Sequence, residues 1–222
     1  MSRLAALVAT RTAWHAVAEH VLAVARYAAT GRIGLRPSPG GFTTPPFGEP
    51  GQRLAVEGVE LVVFRGEAAS RHELTSLGAA AAAAEVDLAS WHGLYPVVTP
   101  ADPGLHLLID RDAALVIAEW FALTDRVLAE VARAHRDKEP SEAQLWPEHF
   151  DLALSVGRCN LGGSPGDAEY PEPYLYVGPW EPAPYIEAGG FWNAPFGARL
   201  PWRADLSVRD AVAFFTQGLA RL

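Results

Sequence analysis

Residues 148–160 alternate between apolar and polar or small side chains, and this alternation constrains the fold more than any other feature of the chain. The apolar members of the pattern are Phe150, Leu152, Leu154 and Val156. Side chains of a β-strand point alternately to opposite faces, so the pattern predicts one half-buried strand of an antiparallel sheet. The glycine-rich residues 162–167 that follow predict a turn at its exit.

The opposite face of this predicted strand carries small or ionisable residues, which are His149, Asp151, Ala153, Ser155, Gly157 and Cys159. Such a face leaves room for a ligand, with His149 and Asp151 as acid–base groups. Arg158 and Asn160 near the strand end would orient an anionic or polar ligand. The alternative is a solvated strand face on which Asp151 pairs with an arginine elsewhere.

Two loops share the pattern G-G-F-x-x-x-P-F-G, since residues 40–48 and 189–197 are identical at six of nine positions. One interpretation is a pair of loops that wall a single cleft through Phe42, Phe191 and Trp192. The alternative is two similar turns whose phenylalanines fill the core. Nearby tryptophans would also make a stacking platform for a sugar or a flat ligand, and they are Trp180, Trp192 and Trp202.

Helical periodicity and capping residues predict most of the remaining elements. Predicted helices cover residues 5–29, 70–85 and 110–136, a turn at 141–144, and a segment after a cap at Ser207. Predicted strands cover residues 32–36, 53–56, 59–65 and, as an edge strand, 173–180. The order predicts an α+β fold: a single domain of residues 1–222, mainly antiparallel sheet, with helices packed on one face.

Composition limits the class of partner. The net charge of −8 argues against nucleic acid and against anionic membrane surfaces. No run of about 18 apolar residues and no convincing signal peptide is present, which predicts a cytoplasmic protein. Of the 18 basic residues only Lys138 is lysine, and with the abundant alanine this indicates a GC-rich bacterial genome.

Cofactor chemistry has little support in the sequence. The single cysteine, Cys159, excludes an internal disulfide and a cysteine-based zinc site. A metal-dependent hydrolase would need a third ligand besides His149 and Asp151, such as His20, His72 or His92, and no metal-binding motif has the required spacing. No metal is therefore assigned, and the cofactor is unknown.

Two short motifs resemble those of a bacterial family of unknown function. They are the Gly-Phe-Thr-Thr-Pro turn at residues 41–45 and the Trp-x-x-x-Phe-Asp-Leu-Ala segment at residues 146–153. Their order along the chain also matches. This resemblance implies a fold and carries no activity to this chain.

The sequence leaves two function classes open. In the first, the chain is a small-molecule-binding protein or enzyme with its site over residues 148–160. In the second, it is a non-catalytic interaction or homo-oligomerisation module that uses the proline- and aromatic-rich residues 170–202, whose composition matches that of binding hot spots.

Overall fold

A computed structural model of the chain describes residues 2–49, 51–88 and 95–222. It has two antiparallel five-stranded sheets, with 38% of the chain helical and 26% in strands, and so confirms the predicted α+β class. The chain forms two compact units, each built from two segments. The first unit comprises residues 1–119 and 145–150, and the second comprises residues 120–144 and 151–222.

The first unit opens with the predicted N-terminal helix, which is interrupted by one π-helical turn. Its three parts are α1 (Arg3–Val17), the π turn (Ala18–Leu22) and α2 (Ala23–Thr30). The Ser2 hydroxyl caps the start by accepting a hydrogen bond from the Ala5 amide, and Gly31 ends the helix at φ 67°. A π turn holds one extra residue per turn and is frequent at functional sites.

The first sheet also lies in this unit, with the strand order β1-β2-β3-β4-β5. Its strands are β1 (Arg36–Ser38), β2 (Gly41–Thr43), β3 (Gln52–Glu57), β4 (Glu60–Arg65) and β5 (Ala68–Glu73). The predicted strands at 53–56 and 59–65 are thus confirmed, and a turn at Gly58, whose φ of 60° suits glycine, joins them.

The predicted capping box at residues 70–73 is wrong, because these residues belong to strand β5. Arg71 there donates hydrogen bonds to Glu57 and Glu60, which the sheet register places nearby. Helix α3 (Leu77–Ala84) instead starts at Ser76, whose hydroxyl accepts from the Ala79 amide. Sheet pairing therefore overrides a local cap pattern here.

The core of the first unit is centred on three aromatic rings. The ring of Phe42 packs edge-on against Trp14 at 5.5 Å and against Phe150 at 5.4 Å. All three side chains are fully buried or nearly so. Phe150 has a φ of 52°, so the backbone of the 148–150 segment is not extended at this residue.

Helix α4 (Arg111–Ala134) confirms the longest predicted helix. The Asp110 carboxylate accepts a hydrogen bond from the Ala113 amide and so caps its start. Among the described residues, no helix is both long and apolar enough to cross a membrane.

The second sheet has the order β10-β9-β8-β7-β6. Its strands are β6 (Gln144–Trp146), β7 (Asp151–Val156), β8 (Cys159–Ser164), β9 (Tyr174–Pro179) and β10 (Ala198–Pro201). The predicted single strand over 148–160 is wrong: a tight turn at Gly157 and Arg158 folds this stretch into the β7–β8 hairpin. Residues 162–164 accordingly lie in β8 and not in a turn.

Three further predictions in this region are corrected. Strand β9 lies between β8 and β10 and is not an edge strand, and its one proline, Pro179, is its last residue. Residues 141–144 form no helical turn, and α5 (Ala183–Ala188) is a helix that the sequence patterns did not predict. Helix α6 (Val208–Leu219) begins as predicted, with a complete capping box between Ser207 and Asp210.

The strand register gives the second sheet one apolar and one polar face. Helix residues pack closely on the apolar face, where Gly163 lies against Thr124 and Gly218 against Val177. The polar face carries, across three neighbouring strands, Asp151, Ala153, Ser155, Asn160, Gly162, Ser164, Tyr174, Tyr176 and Gly178. The expected face of small and ionisable residues therefore exists, but it spans a hairpin and a third strand.

Candidate functional site

The two residues predicted to act as acid and base lie in different settings. His149 is exposed and stands in the turn before β7, where its amide bonds to the Trp146 carbonyl at 3.3 Å. Asp151 is the buried first residue of β7. His149 and Asp151 would share one face only if a single continuous strand held both residues. The backbone at Phe150 interrupts such a strand.

Asp151 accepts a hydrogen bond from the Tyr176 hydroxyl. A side-chain carbon added at Gly162 would come within 2.6 Å of the Tyr176 ring and hydroxyl, so this ring lies across the glycine. Burial, followed by the nearby Asp151 carboxylate, raises the pKa of Tyr176 well above its usual value. The room expected above the small residues of this face is thus occupied by Tyr176.

A second tyrosine–aspartate pair lies beside the first. The Tyr174 hydroxyl donates to the Asp167 carboxylate at 2.5 Å, and burial is the main cause of its raised pKa. The guanidinium of Arg199 lies 4.0 Å from the centre of the Tyr170 ring, a cation–π contact. Because their pKa values are raised, Tyr174 and Tyr176 remain protonated near neutral pH and act as hydrogen-bond donors.

The predicted ligand residues Arg158 and Asn160 meet an exposed tryptophan that is distant in sequence. The Asn160 side-chain oxygen accepts from the Trp180 indole N–H at 3.0 Å and from the Ser155 hydroxyl at 2.8 Å. Arg158 donates to Glu181 at 2.5 Å and lies 5.6 Å from the Trp180 ring centre. We call these five residues the Trp180 patch.

Trp180 is 53% exposed, although the hydrogen bond from its indole fixes its orientation. Of the two polar atoms of the Asn160 side chain, only the oxygen can accept a hydrogen bond from the indole N–H. This hydrogen bond therefore assigns the orientation of the Asn160 amide. The Asn160 nitrogen then has no hydrogen-bond partner among the described residues. The patch therefore presents an aromatic surface beside unused hydrogen-bond donors.

The residues of the two G-G-F loops have different environments. Phe42 is fully buried in the aromatic core of the first unit, as the core-filling alternative predicts, and so presents no surface to a ligand. Phe191 is partly exposed and packs against Trp192 and Phe214 in the second unit. Trp192 itself is buried and contacts Tyr185.

Cys159 is buried on the apolar side of β8. Desolvation raises the pKa of its thiol to about 12. A thiol that stays protonated at neutral pH is a poor nucleophile, which favours the role of a small packed residue for Cys159.

The π turn carries a buried polar network. Glu19 and His20 are 0% and 1% exposed. The Glu19 carboxylate accepts from the amides of Val98 and Thr99, at 3.1 and 2.9 Å, and from the Thr99 hydroxyl at 2.6 Å. We call Glu19, His20 and Thr99 the Glu19 network.

His20 completes this network beside Glu19, with its Nε2 3.6 Å from the Glu19 carboxylate. Its Nε2 lies 2.8 Å from the Thr99 carbonyl and 2.9 Å from the Thr99 hydroxyl. A carbonyl oxygen only accepts, so Nε2 carries the proton. Nδ1 is buried, with no hydrogen-bond partner in the described part of the chain. The Thr99 hydroxyl donates to Glu19, so it is not activated by the histidine.

Two more titratable groups surround the network. Burial lowers the pKa of His15, partly offset by the Glu19 charge, and its Nε2 donates to the Pro147 carbonyl at 2.8 Å. Burial also raises the pKa of Tyr95, with smaller contributions from Glu19 and Glu148. The network is closed to solvent and ties residues 98–99 to the π turn, while the Val98 side chain is 66% exposed.

No group of three or more histidine, cysteine, aspartate or glutamate side chains suited to a metal ion occurs among residues 2–49, 51–88 and 95–222. Of the three histidines considered as further ligands, His20 belongs to the Glu19 network. His72 is exposed on β5, with its Nε2 2.9 Å from the Ser70 hydroxyl. His92 lies outside the described residues.

Comparisons of the chain with protein-family models, with curated proteins and with solved structures find no match. The resemblance to a bacterial family therefore stays a prediction.

Proposed function

We propose that this chain is a small-molecule-binding protein whose ligand site is the Trp180 patch. The observation that carries the proposal is an exposed indole held in one orientation by Asn160, which Ser155 orients in turn. A half-exposed tryptophan gains only part of the hydrophobic stabilisation that burial gives. A rigid aromatic surface, in contrast, lowers the entropic cost of binding a ligand.

The patch is favoured over the Glu19 network because a ligand has access to it. Trp180, Arg158, Asn160 and Glu181 are all exposed, whereas the network is enclosed and nearly all of its hydrogen-bonding groups are used internally. The patch also contains two residues that the sequence indicates for ligand binding, Arg158 and Asn160. The proposal thus keeps the ligand near the 148–160 stretch and moves it away from His149 and Asp151.

The test is an NMR titration of the seven tryptophan indole N–H groups in ¹⁵N-labelled protein. Trp180→Phe assigns the Trp180 signal by its loss. A panel of neutral sugars, sugar acids and flat heterocycles is then added at millimolar concentrations. We expect at least one compound to shift the Trp180 signal saturably and to leave the signal of the buried Trp192 in place.

The control variants separate a specific site from general adsorption. Trp180→Ala should abolish the saturable shift of the Asn160 side-chain amide that accompanies binding, and Trp180→Phe should retain part of it. Saturable binding that is unchanged in Trp180→Ala would contradict the site. A panel in which no compound shifts the Trp180 signal would contradict the proposed function.

A second candidate is a protein-interaction or homo-oligomerisation module. Trp180 lies within residues 170–202 and, with Arg158, has the composition of an interface hot spot. Light scattering of the wild-type protein and of Trp180→Ala tests this candidate. A dimer that dissociates in the variant would support it, and a wild-type monomer would argue against self-association.

A further inference from the structure

We infer that the ligand of the Trp180 patch is a neutral sugar ring, an inference that rests on the proposed function. The charges of the patch favour a neutral ligand. Arg158 and Glu181 form an ion pair at 2.5 Å and are 71% and 77% exposed, so the formal charges of the patch cancel. An anionic ligand near Arg158 would be repelled by Glu181, and a cationic ligand near Glu181 would be repelled by Arg158.

The hydrogen-bonding groups of the patch favour a ligand with neighbouring hydroxyls. The Arg158–Glu181 pair places guanidinium donors next to a carboxylate acceptor, and the Asn160 amide adds two donors. Neighbouring hydroxyls of a sugar each donate and accept, so they suit a surface on which both kinds of group stand side by side. A flat heterocycle has no such pair of hydroxyls, although it also stacks on indole.

The flat surface of the indole suits the shape of a sugar ring. The C–H groups on one face of a pyranose ring form an apolar surface that packs on an aromatic ring, while its hydroxyls point outward. Gly178 is paired with Asn160 in the strand register and adds no side chain beside it. Because the Arg158 guanidinium lies over the Trp180 ring, 5.6 Å from its centre, a sugar ring stacked on the indole would have this donor beside its hydroxyls.

The test compares three ligands on the assigned Trp180 indole signal: a methyl hexopyranoside, the uronic acid of the same sugar, and caffeine. We expect the neutral sugar to bind with a Kd of about 1 mM, within the range of weak specific sites. The uronic acid and caffeine should bind at least about fivefold more weakly, since each lacks one of the matches described above.

Charge variants make the inference sharper. Glu181→Gln leaves Arg158 unpaired and should reverse the preference toward the uronic acid, whereas Arg158→Gln should weaken uronic acid binding further. If caffeine or the uronic acid binds wild-type protein more tightly than the neutral sugar, the inference fails and the proposed function stands. If none of the three ligands shifts the signal and the wider panel is also inactive, both fail.

Discussion

The Glu19 network and the Trp180 patch are built from similar hydrogen bonds in opposite surroundings. In each, one side-chain oxygen group accepts from a hydroxyl and from at least one N–H: Glu19 binds Thr99 and two amides, and Asn160 binds Ser155 and an indole. The first group is inaccessible and the second is exposed.

This difference separates stability from recognition. A buried acceptor that loses its donors, or a donor that loses its acceptor, cannot turn to water, so each bond of the closed network contributes to folding. In the open patch water replaces a lost partner, so the same bonds mainly fix the orientation of Trp180. The following predictions test this contrast, in order of expected effect.

The largest expected effect is in Glu19→Ala. The substitution leaves the buried Thr99 amide, the part-buried Val98 amide and the Thr99 hydroxyl without their acceptor. We expect the free energy of unfolding to fall by about 3 kcal/mol. Urea denaturation measures it, with Glu181→Ala in the open patch as the matched control that should show no measurable change. Equal losses in the free energy of unfolding in the two variants would contradict the difference proposed between the closed network and the open patch.

A smaller effect is expected when a single hydroxyl is removed from each region. Thr99→Val keeps the shape of the buried side chain and should lower the free energy of unfolding by about 1–2 kcal/mol. Ser155→Ala should change it by less than about 0.5 kcal/mol, yet shift the Trp180 indole NMR signal. A larger loss of stability in Ser155→Ala than in Thr99→Val would contradict the assignment of roles.

The smallest effect is a pH dependence that arises beside the closed network. Because burial lowers the pKa of His15 below 6.5, the unfolded chain takes up a proton on acidification before the folded chain does. The free energy of unfolding should therefore fall as the pH drops from about 7.5 to about 5. His15→Gln keeps a donor toward Pro147 and should flatten this slope, and an unchanged slope in this variant would contradict the prediction.

Sequence patterns predicted the elements whose determinants are local. Trp14, Val17 and Val21 recur at helical spacing and are all fully buried in the N-terminal helix. Gly58 marked the turn between β3 and β4, and the Ser207–Asp210 box marked the start of α6. In each case the signal lies within a few residues of the element.

The failures involve partners that are remote along the chain. Glu19 lies outside the apolar stripe of the N-terminal helix, but it is buried because its partners lie 79 and 80 residues away, and the π turn alters the helix register there. Asn160 meets Trp180 across 20 residues because β8 pairs with β9. Nothing local to either residue encodes such a meeting.

The hairpin at Gly157 shows a different kind of failure. A two-residue turn keeps the period of an alternating pattern but reverses its phase, so that the apolar positions 152, 154 and 156 are followed by 159 and 161. Gly157, with a φ of 58°, marks the same turn. The phase change and the glycine together are the local signals for the hairpin that carries Arg158.

The π turn makes the N-terminal helix sensitive to length and not only to composition. Deleting one residue between Ala18 and Leu22 would allow an uninterrupted α-helix, which has the lower intrinsic energy. The same deletion would leave the rotation of α1 relative to α2 almost unchanged, because a π turn takes up its extra residue within a single turn. Glu19 and His20, which both meet Thr99, lie within this turn and would lose the backbone geometry that presents them together. A single-residue deletion that improves the local helix would thus break the Glu19 network while keeping the contact of Trp14 with Phe42.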